Sequence, residues 1–529
     1  MKLYFLLSLI PCLYYLLFKS KKAMHMLQQN WYNDDNRYFK WVLDNSTKTF
    51  ITLDLIAICF LAFKFMNNYV ALSLFALFYI ITYVIYKSVF SKEQSKKPLV
   101  ITARIKRLYV TFILIYILIM LPMIIGFVEE YIYLYYTYIG LSIWLSYIFV
   151  MFANIINKPI EKLVFLHYKK LANDKLNSMI GLKRVAITGS YGKTSTKNIL
   201  NDILNVKYNS FATPKSFNTM YGLMNAINNY MDKFNDIFIA EMGAFKMGEI
   251  KEKANFIKPK YGILTTIGTA HLESFGSREN IQKGKFELID SLPDDGIAVL
   301  NKDDPYQVNY KLKSKCKVIW VSLKDRSADV YGYDIKLSER GSKFKCKFKK
   351  DNSICELETK LLGDANIYNI LEAVALAYEF GLTLEQIQVG VKKVSTIEHR
   401  LELKKFDNIT IIDDAYNSNP VGAKMAIDVL SLMDGKKIIV TPGMIELGEK
   451  QYEYNMEFGK QIAKVCDEVI LIGKEQTKPI LDGLKKSKYN EKNIHILNDV
   501  KDAFPLMKKL SDKKTFVLLE NDLPDIFNE

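Results

Sequence analysis
The sequence predicts a bundle of membrane-crossing α-helices followed by domains of the α/β class. Three observations carry this expectation. Five long apolar runs fill the first 157 of the 529 residues, at about 3–18, 50–66, 69–86, 108–128 and 131–153. Each approaches the ~20 residues that a helix needs to cross a bilayer. After Asn157 the composition becomes mixed, and short apolar strands alternate with helical stretches, the pattern of a mostly parallel sheet covered by helices. Early in that second part, a strand runs into a glycine-containing loop and then a helix.

Charge and cysteine content narrow the partners. The first 157 residues hold 15 Lys/Arg against 7 Asp/Glu, and the remaining 372 hold 57 against 50. In the first part the basic residues lie between apolar runs, which points to an anionic membrane surface and not to nucleic acid. The cysteines at 12, 59, 316, 346, 355 and 466 form no CxxC pair, so neither a zinc ribbon nor a disulfide framework is expected. No small-residue cleavage site follows the first run, which reads as a retained anchor.

The loops set the expected orientation. The segment 19–48 carries Lys19, Lys21, Lys22, Arg37, Lys40 and Lys48, and 87–107 carries seven Lys/Arg. The short connections at 66–68 and 129–130 carry none. Basic loops stay in the cytoplasm. Five crossings then place the first terminus outside and everything after about residue 155 inside, as a multi-pass protein of the cell membrane. Asp54, one turn into the second run, reads as an interfacial residue, and Lys64 lies near enough to the other end to snorkel.

The soluble part opens on chemistry. Arg184–Ile187 reads as a buried strand. Gly189, Ser190, Tyr191, Gly192, Lys193, Thr194 and Ser195 follow, leading into a helix to about Leu204. Glycines let backbone N–H groups curl around phosphate oxygens, and the helix N-terminus adds partial positive charge. Lys193 would reach the terminal phosphates and Thr194 would bind magnesium. The spacing is GxxGKT, shorter than the usual phosphate loop. Asp236–Ala240 reads as a second buried strand, ending at Glu241, where an acid can hold magnesium opposite the loop.

From here the sequence resembles the Mur ligase family, most closely the MurF type, over about residues 181–520. Thr188–Thr196 resembles its ATP loop, and Glu241-Met242-Gly243-Ala244 its magnesium-binding ELGA block. The stretch from Ala270 to Ser277 resembles AHLEGFGS, which makes His271 a ligand of a second magnesium by similarity. Lys285 stands in the place of a lysine that the family carbamoylates to help hold that metal. Without the resemblance, Lys285 would read as a surface lysine on an amphipathic helix. Asn366 and Asn369 match the GxxNxxN block near the adenine. Arg400 matches the arginine that contacts nucleotide phosphate, with His399 replacing the glycine before it. Asp413 to Pro420 resembles DDSYNANP, and by similarity Asp414 approaches the ribose. Pro442 to Gly448 resembles a later GDMxELG block.

The resemblance implies a P-loop ATPase-like central domain at 181–395 and a Rossmann-like C-terminal domain at 396–529, after a membrane region at 1–157 and a linker at 158–180. It implies an ATP- and magnesium-dependent ligase that joins a carboxylate acceptor to an amino acid or dipeptide amine through an acyl phosphate, in cell-wall peptide synthesis. The acceptor would be a muramoyl peptide, or a lipid-linked or polymeric envelope precursor. Two departures fall on acceptor recognition. Membrane helices stand where the family has its uridine-binding domain, and Glu520-Asn521-Asp522-Leu523-Pro524-Asp525 replaces a KGSR-like stretch. A membrane-tethered ligase that extends a poly-γ-glutamate-like polymer is the rival enzyme. A transporter or a non-catalytic scaffold is the rival of another class. The transporter lacks a cassette signature, and the scaffold does not explain why Lys193, Glu241, His271, Lys285 and Arg400 occur together.

Overall fold
The computed structural model describes residues 1–29, 32, 35–90, 98–415, 418–445 and 447–521, and the chain divides into two compact units, Met1–His167 and Tyr168–Glu529. In the first unit, three helices among the described residues are long and apolar enough to cross a membrane: Lys2–Gln29, Asn68–Ser88 and Ala103–Ile125. A fourth candidate, Glu129–Trp144 with Ser146–Ser178, is bent by 68° at its break. By length and composition alone these are fewer than the five expected runs. The second apolar run is a 3-10 helix of 13 residues, Leu53–Phe65, and the fifth is the broken pair. Hydropathy counts apolar residues and is blind to how the backbone is wound or where it breaks.

Asp54 also differs from expectation. It is fully buried, and Lys19 Nζ pairs with its Oδ2 at 2.7 Å. Tyr15 and Thr52 donate hydroxyls to the same oxygen at 3.1 and 3.0 Å. The Lys19 ammonium also donates to the carbonyls of Ile143 and Trp144 at 3.3 and 3.4 Å. Those carbonyls lie where the fifth run breaks, so a lysine from the first helix satisfies groups that a helix end would leave orphaned. Lys19 and Asp54 are 35 positions apart, which is why the sequence hid the pairing. Around them the core is aromatic: Phe75 stacks on Tyr136 at 3.9 Å, and Phe60 meets Phe63, Phe75 and Phe78.

The second unit holds two mixed sheets. The first contains β1 (Lys183–Thr188), β2 (Ser210–Ala212), β3 (Ile237–Glu241), β4 (Tyr261–Leu264), β5 (Ile297–Asn301), β6 (Lys317–Ser322), β7 (Val330–Ser338), β8 (Gly341–Phe348) and β9 (Ile354–Thr359). Their order is β2-β3-β1-β4-β5-β6-β7-β8-β9, parallel as far as β7 and antiparallel through β8 and β9. The sequence shows why. Ile-Phe-Ile-Ala-Glu in β3 is buried throughout, as a parallel strand covered on both faces must be. In β9, Cys355, Leu357 and Thr359 are buried while Ile354, Glu356 and Glu358 point out, and Lys343 pairs with Glu358 across the hairpin. The helices Lys193–Leu204, Asp364–Glu379 and Leu384–Lys393 bring Ile199, Ile203, Leu371, Val374 and Val391 into the core beside Val185 and Ile187.

The second sheet contains β10 (Glu402–Phe406), β11 (Ile409–Asp414), β12 (Lys436–Thr441), β13 (Glu468–Ile472), β14 (Ile494–Leu497) and β15 (Thr515–Glu520). Its order is β10-β11-β15-β12-β13-β14, with only β10 antiparallel to its neighbour. The last strand inserts between β11 and β12, so Asp414 stands in register with Glu520.

The buried pair in the first unit generates a prediction. Lys19→Met leaves Asp54 charged and buried, which should cost about 3–5 kcal/mol, whereas Lys19→Met with Asp54→Leu should recover most of that loss. Thermal unfolding of the full chain in detergent reads both variants. Equal destabilisation of the single and double variants would refute the pairing.

Candidate active site
The site lies at the carboxyl ends of three adjacent strands. The register sets Ile187 of β1 beside Glu241 of β3, and Thr188 beside Leu264 of β4. The loop Gly189–Gly192 leaves β1 between them. A Cβ on Gly189 would lie 2.0 Å from Thr265 Oγ1, and one on Gly192, at φ 82°, would lie 2.5 Å from Asn369 Oδ1. Only glycine admits those approaches. Ser190 N donates to Thr266 O at 2.7 Å. The Tyr191 hydroxyl accepts from Thr269 N at 3.1 Å and bonds Thr269 Oγ1 at 3.2 Å. Lys193 folds back over the loop, donating to the carbonyls of Gly189 and Ser190 at 2.8 and 3.1 Å. The helix starts at Lys193 with no side-chain cap, so its amino end faces the loop, the arrangement that binds phosphate. Ser195 is buried in the first turn.

Glu241 is almost fully buried and collects the polar groups around it. Thr194 Oγ1 and Asn218 Nδ2 donate to its Oε1 at 3.2 and 3.0 Å. Lys197 Nζ lies 3.1 Å from Oε2 as an ion pair. Burial pushes the Glu241 carboxyl up, but Lys197 and Lys193 outweigh burial and hold it below its usual range. A threonine hydroxyl beside a charged carboxylate is a hard-oxygen donor set that fits magnesium.

The segment after Glu241 gathers the other two predicted residues. Lys285 is 1% exposed, so it is no surface lysine, and its Nζ donates to Ala244 O at 3.4 Å. Burial, with Lys193 and Lys253 nearby, holds its amine well below the usual lysine range. His271 sits in the left-handed region at φ 60°, with its ring 4.4 Å from that of Phe245. Among the described residues no group of three or more His, Cys, Asp or Glu is placed to hold a metal ion. A second metal here would therefore depend on Lys285 chemistry as well as on His271.

Further groups converge on the same helix. Thr196 Oγ1 donates to Asn369 Oδ1 at 3.1 Å and to Glu372 Oε2 at 3.2 Å, and Asn369 Nδ2 donates to Asn366 Oδ1 at 3.2 Å. Arg400 reaches across, its Nη2 3.4 Å from Thr194 Oγ1. Asp414 Oδ1 accepts from Leu401 N at 3.2 Å, and burial pushes the carboxyls of Asp414 and its register partner Glu520 up. Tyr416 and Asn417 of the DDAYNSNP block, Glu446 of the later block and Asp522–Asp525 lie outside the described residues. Lys197 carries no motif of its own, although it stands four residues after Lys193 and therefore on the same helix face. Asn218 lies in a loop with no motif to mark it.

Burial, reinforced by Arg400 and opposed by Glu241, lowers the Lys193 ammonium to about 8. Binding a polyphosphate restores the charged form. ATP binding at about pH 8.5 should therefore take up protons, and the uptake should shrink toward pH 7.2, where the lysine is already mostly charged. Titration calorimetry in two buffers of different ionisation enthalpy measures the uptake. A binding enthalpy independent of buffer at the higher pH would contradict this account of Lys193.

Comparison with known proteins agrees with this geometry. The Mur ligase middle domain matches residues 187–377, and the Mur ligase glutamate ligase domain matches residues 399–520. The UDP-N-acetylmuramoyl-tripeptide--D-alanyl-D-alanine ligase of Bacillus subtilis (strain 168) is 30% identical over 346 residues, covering 64% of this chain and 73% of its own. The crystal structure of MurF ligase from Thermotoga maritima in complex with ADP superposes with a TM-score of 0.60 at 26% identity, over 68% of this chain and 80% of its own. MurF from Acinetobacter baumannii shares the fold with a TM-score of 0.61 at 24% identity, over 68% and 77%. The chain belongs to the Mur ligase family of ATP-dependent, carbon–nitrogen bond-forming ligases.

Proposed function
We propose that this chain is a MurF-like ligase that activates a carboxylate with ATP and joins it to the amine of an amino acid or dipeptide, in cell-wall or envelope peptide synthesis, beside the cytoplasmic face of a membrane. The observation that carries this reading is the set of groups around Glu241. A glycine loop, Lys193, Thr194 and Lys197 lie on one side, and Arg400 reaches in from the strand-rich segment 400–520. The loop Gly189–Ser195 acts as the phosphate loop of a P-loop ATPase-like domain. Asn366, Asn369 and Asp414 hold the nucleoside, the last from a Rossmann-like domain.

The acceptor carboxylate attacks the γ-phosphorus, the bond to the bridging oxygen breaks, and ADP leaves. The resulting acyl phosphate is attacked at carbon by the amine nitrogen, which loses a proton as phosphate departs. Lys193 follows the transferring phosphoryl group, and Arg400 offsets its negative charge. Thr194 and Glu241 would hold one magnesium, and His271 with Lys285 would hold a second. Magnesium bound there supplies positive charge that lets two anions approach. Lys285 is suited to carbamoylation because burial favours its neutral amine, the form that attacks carbon dioxide. The new N–C bond releases a proton and turns an amine into an anion.

The membrane placement rests on charge and length together. With Lys19 neutralised by Asp54, Lys21, Lys22, Arg37, Lys40 and Lys48 still make 19–48 basic, and 87–107 is basic as well. Both segments can face the cytoplasm only if the chain crosses twice between them. The helix Asn68–Ser88 supplies one crossing, and Leu53–Phe65 is the segment left for the other. Thirteen residues of 3-10 helix rise roughly 26 Å, against about 20 Å for an α-helix of that length, and come close to the ~30 Å hydrocarbon core. Five crossings and a cytoplasmic ligase then follow. A cysteine at Lys106 should resist membrane-impermeant maleimide in intact cells, and strong labelling there would reject this topology.

Confinement beside the bilayer raises the effective concentration of acceptors that are also held there. Basic loop residues attract anionic headgroups at about 1 kcal/mol each. We therefore place a lipid-linked or polymeric envelope precursor ahead of soluble UDP-muramoyl tripeptide as acceptor. The purified chain in nanodiscs, given ATP and D-alanyl-D-alanine, should form amide product faster on the lipid-linked muramoyl peptide than on the soluble one. Lys193→Ala should abolish product on both, and Lys285→Ala should regain part of its activity with an added small carboxylic acid. A clear preference for the soluble acceptor would overturn the membrane-bound reading, and normal ligation by Lys193→Ala would overturn the ligase site itself.

A further inference from the structure
Arg400 sits in a strained turn. The residues on either side of it, His399 and Leu401, have φ of 59° and 50°. This left-handed region costs an L side chain about 1–2 kcal/mol per residue and costs glycine almost nothing. Arg400 N closes the turn on Ile397 O at 3.1 Å. A residue held in such a conformation needs its surroundings to hold it there.

The holding contacts are specific. His399 Nδ1 pairs with Asp413 Oδ2 at 2.8 Å, and His399 N donates to Glu402 Oε2 at 3.4 Å. Leu401 N donates to Asp414 Oδ1 at 3.2 Å. Lys404 shares Asp413 Oδ2 at 2.6 Å, and Glu398 Oε1 lies 3.6 Å from His399 Nε2. Asp413 is 4% exposed at the end of β11, so it is a rigid anchor, while the His399 side chain is 45% exposed and needs that anchor to be fixed. On the other side of the turn, Arg400 reaches Thr194 in the first turn of the phosphate-loop helix.

We propose that His399 is a positioning residue for Arg400: its imidazole, pinned on Asp413, holds the left-handed turn that aims the guanidinium at the phosphate loop. The inference rests on the reading of Arg400 as a phosphate-contacting group. A glycine at 399 would adopt the backbone shape without cost but would leave the turn free to swing. Histidine accepts the strain and fixes the direction.

The test separates these effects through nucleotide affinity of the full chain in detergent, using the magnesium complex of the ATP analogue AMP-PNP. Arg400→Ala should weaken binding. His399→Gly should lose roughly tenfold in affinity through misplacement of the guanidinium, and should melt no lower than the parent because the backbone strain is gone. His399→Asn tolerates the left-handed region and keeps a donor for Asp413, so it should stay within about threefold of the parent. His399→Gly should add nothing to Arg400→Ala. If His399→Gly binds as tightly as the parent while Arg400→Ala is weakened, the positioning role is refuted. If Arg400→Ala binds as tightly as the parent, the phosphate-contact reading of Arg400 fails, and the proposal fails with it for that separate reason.

Discussion
The second unit is organised around one buried carboxylate. Glu241 ends a strand that is buried throughout, and an unpaired charge there would cost several kcal/mol. Lys193 and Lys197, one helix turn apart, meet that charge from a single helix face, and Thr194 and Asn218 take up the other oxygen. The same interaction ties the loop helix to β3 and fixes the segment Met242–Phe245. That segment carries the carbonyl that meets Lys285 and the ring that meets His271. The glycine loop and the segment that meets Lys285 and His271 thus flank one satisfied charge.

How much of this could be read from the sequence depends on the range of the interaction. β1 and β3 were legible within a residue or two, because a parallel strand is an unbroken apolar run and a glycine loop follows the first. Asn369 and Arg400 were legible only through motif resemblance, since their contacts with Thr196 and Thr194 cross about 170 and 206 positions. The burial of Lys285 was not legible, because its helix reads as amphipathic with the lysine outward. The apolar runs of the first unit were visible, but the 3-10 winding of Leu53–Phe65 and the break at Leu145 were not. Both depend on packing, and at the break on a lysine more than a hundred residues earlier.

The carboxyl ends of β11 and β15 carry a pair of facing acids. Insertion of β15 beside β11 sets Glu520 against Asp414, and Ser418 Oγ donates to Glu520 Oε1 at 2.6 Å. Glu520 sets a second carboxyl beside Asp414, and burial pushes both toward their protonated forms. A shared proton relieves the repulsion that two facing carboxylates would suffer.

The pairing of Lys19 with Asp54 bears on how the chain is made. A ribosome delivers Lys19 of the first helix 35 residues before the acid that pairs with it. Read as membrane segments, these two cannot settle independently: a charged lysine disfavours the lipid phase until its partner arrives. The first segment must then wait in a polar setting, at the headgroup level or within the insertion machinery, and enter together with Leu53–Phe65. Because the same ammonium closes the helix break at Ile143 and Trp144, the last hydrophobic segment to emerge completes the surroundings of the first. The surroundings of the first segment are therefore complete only once the last has emerged.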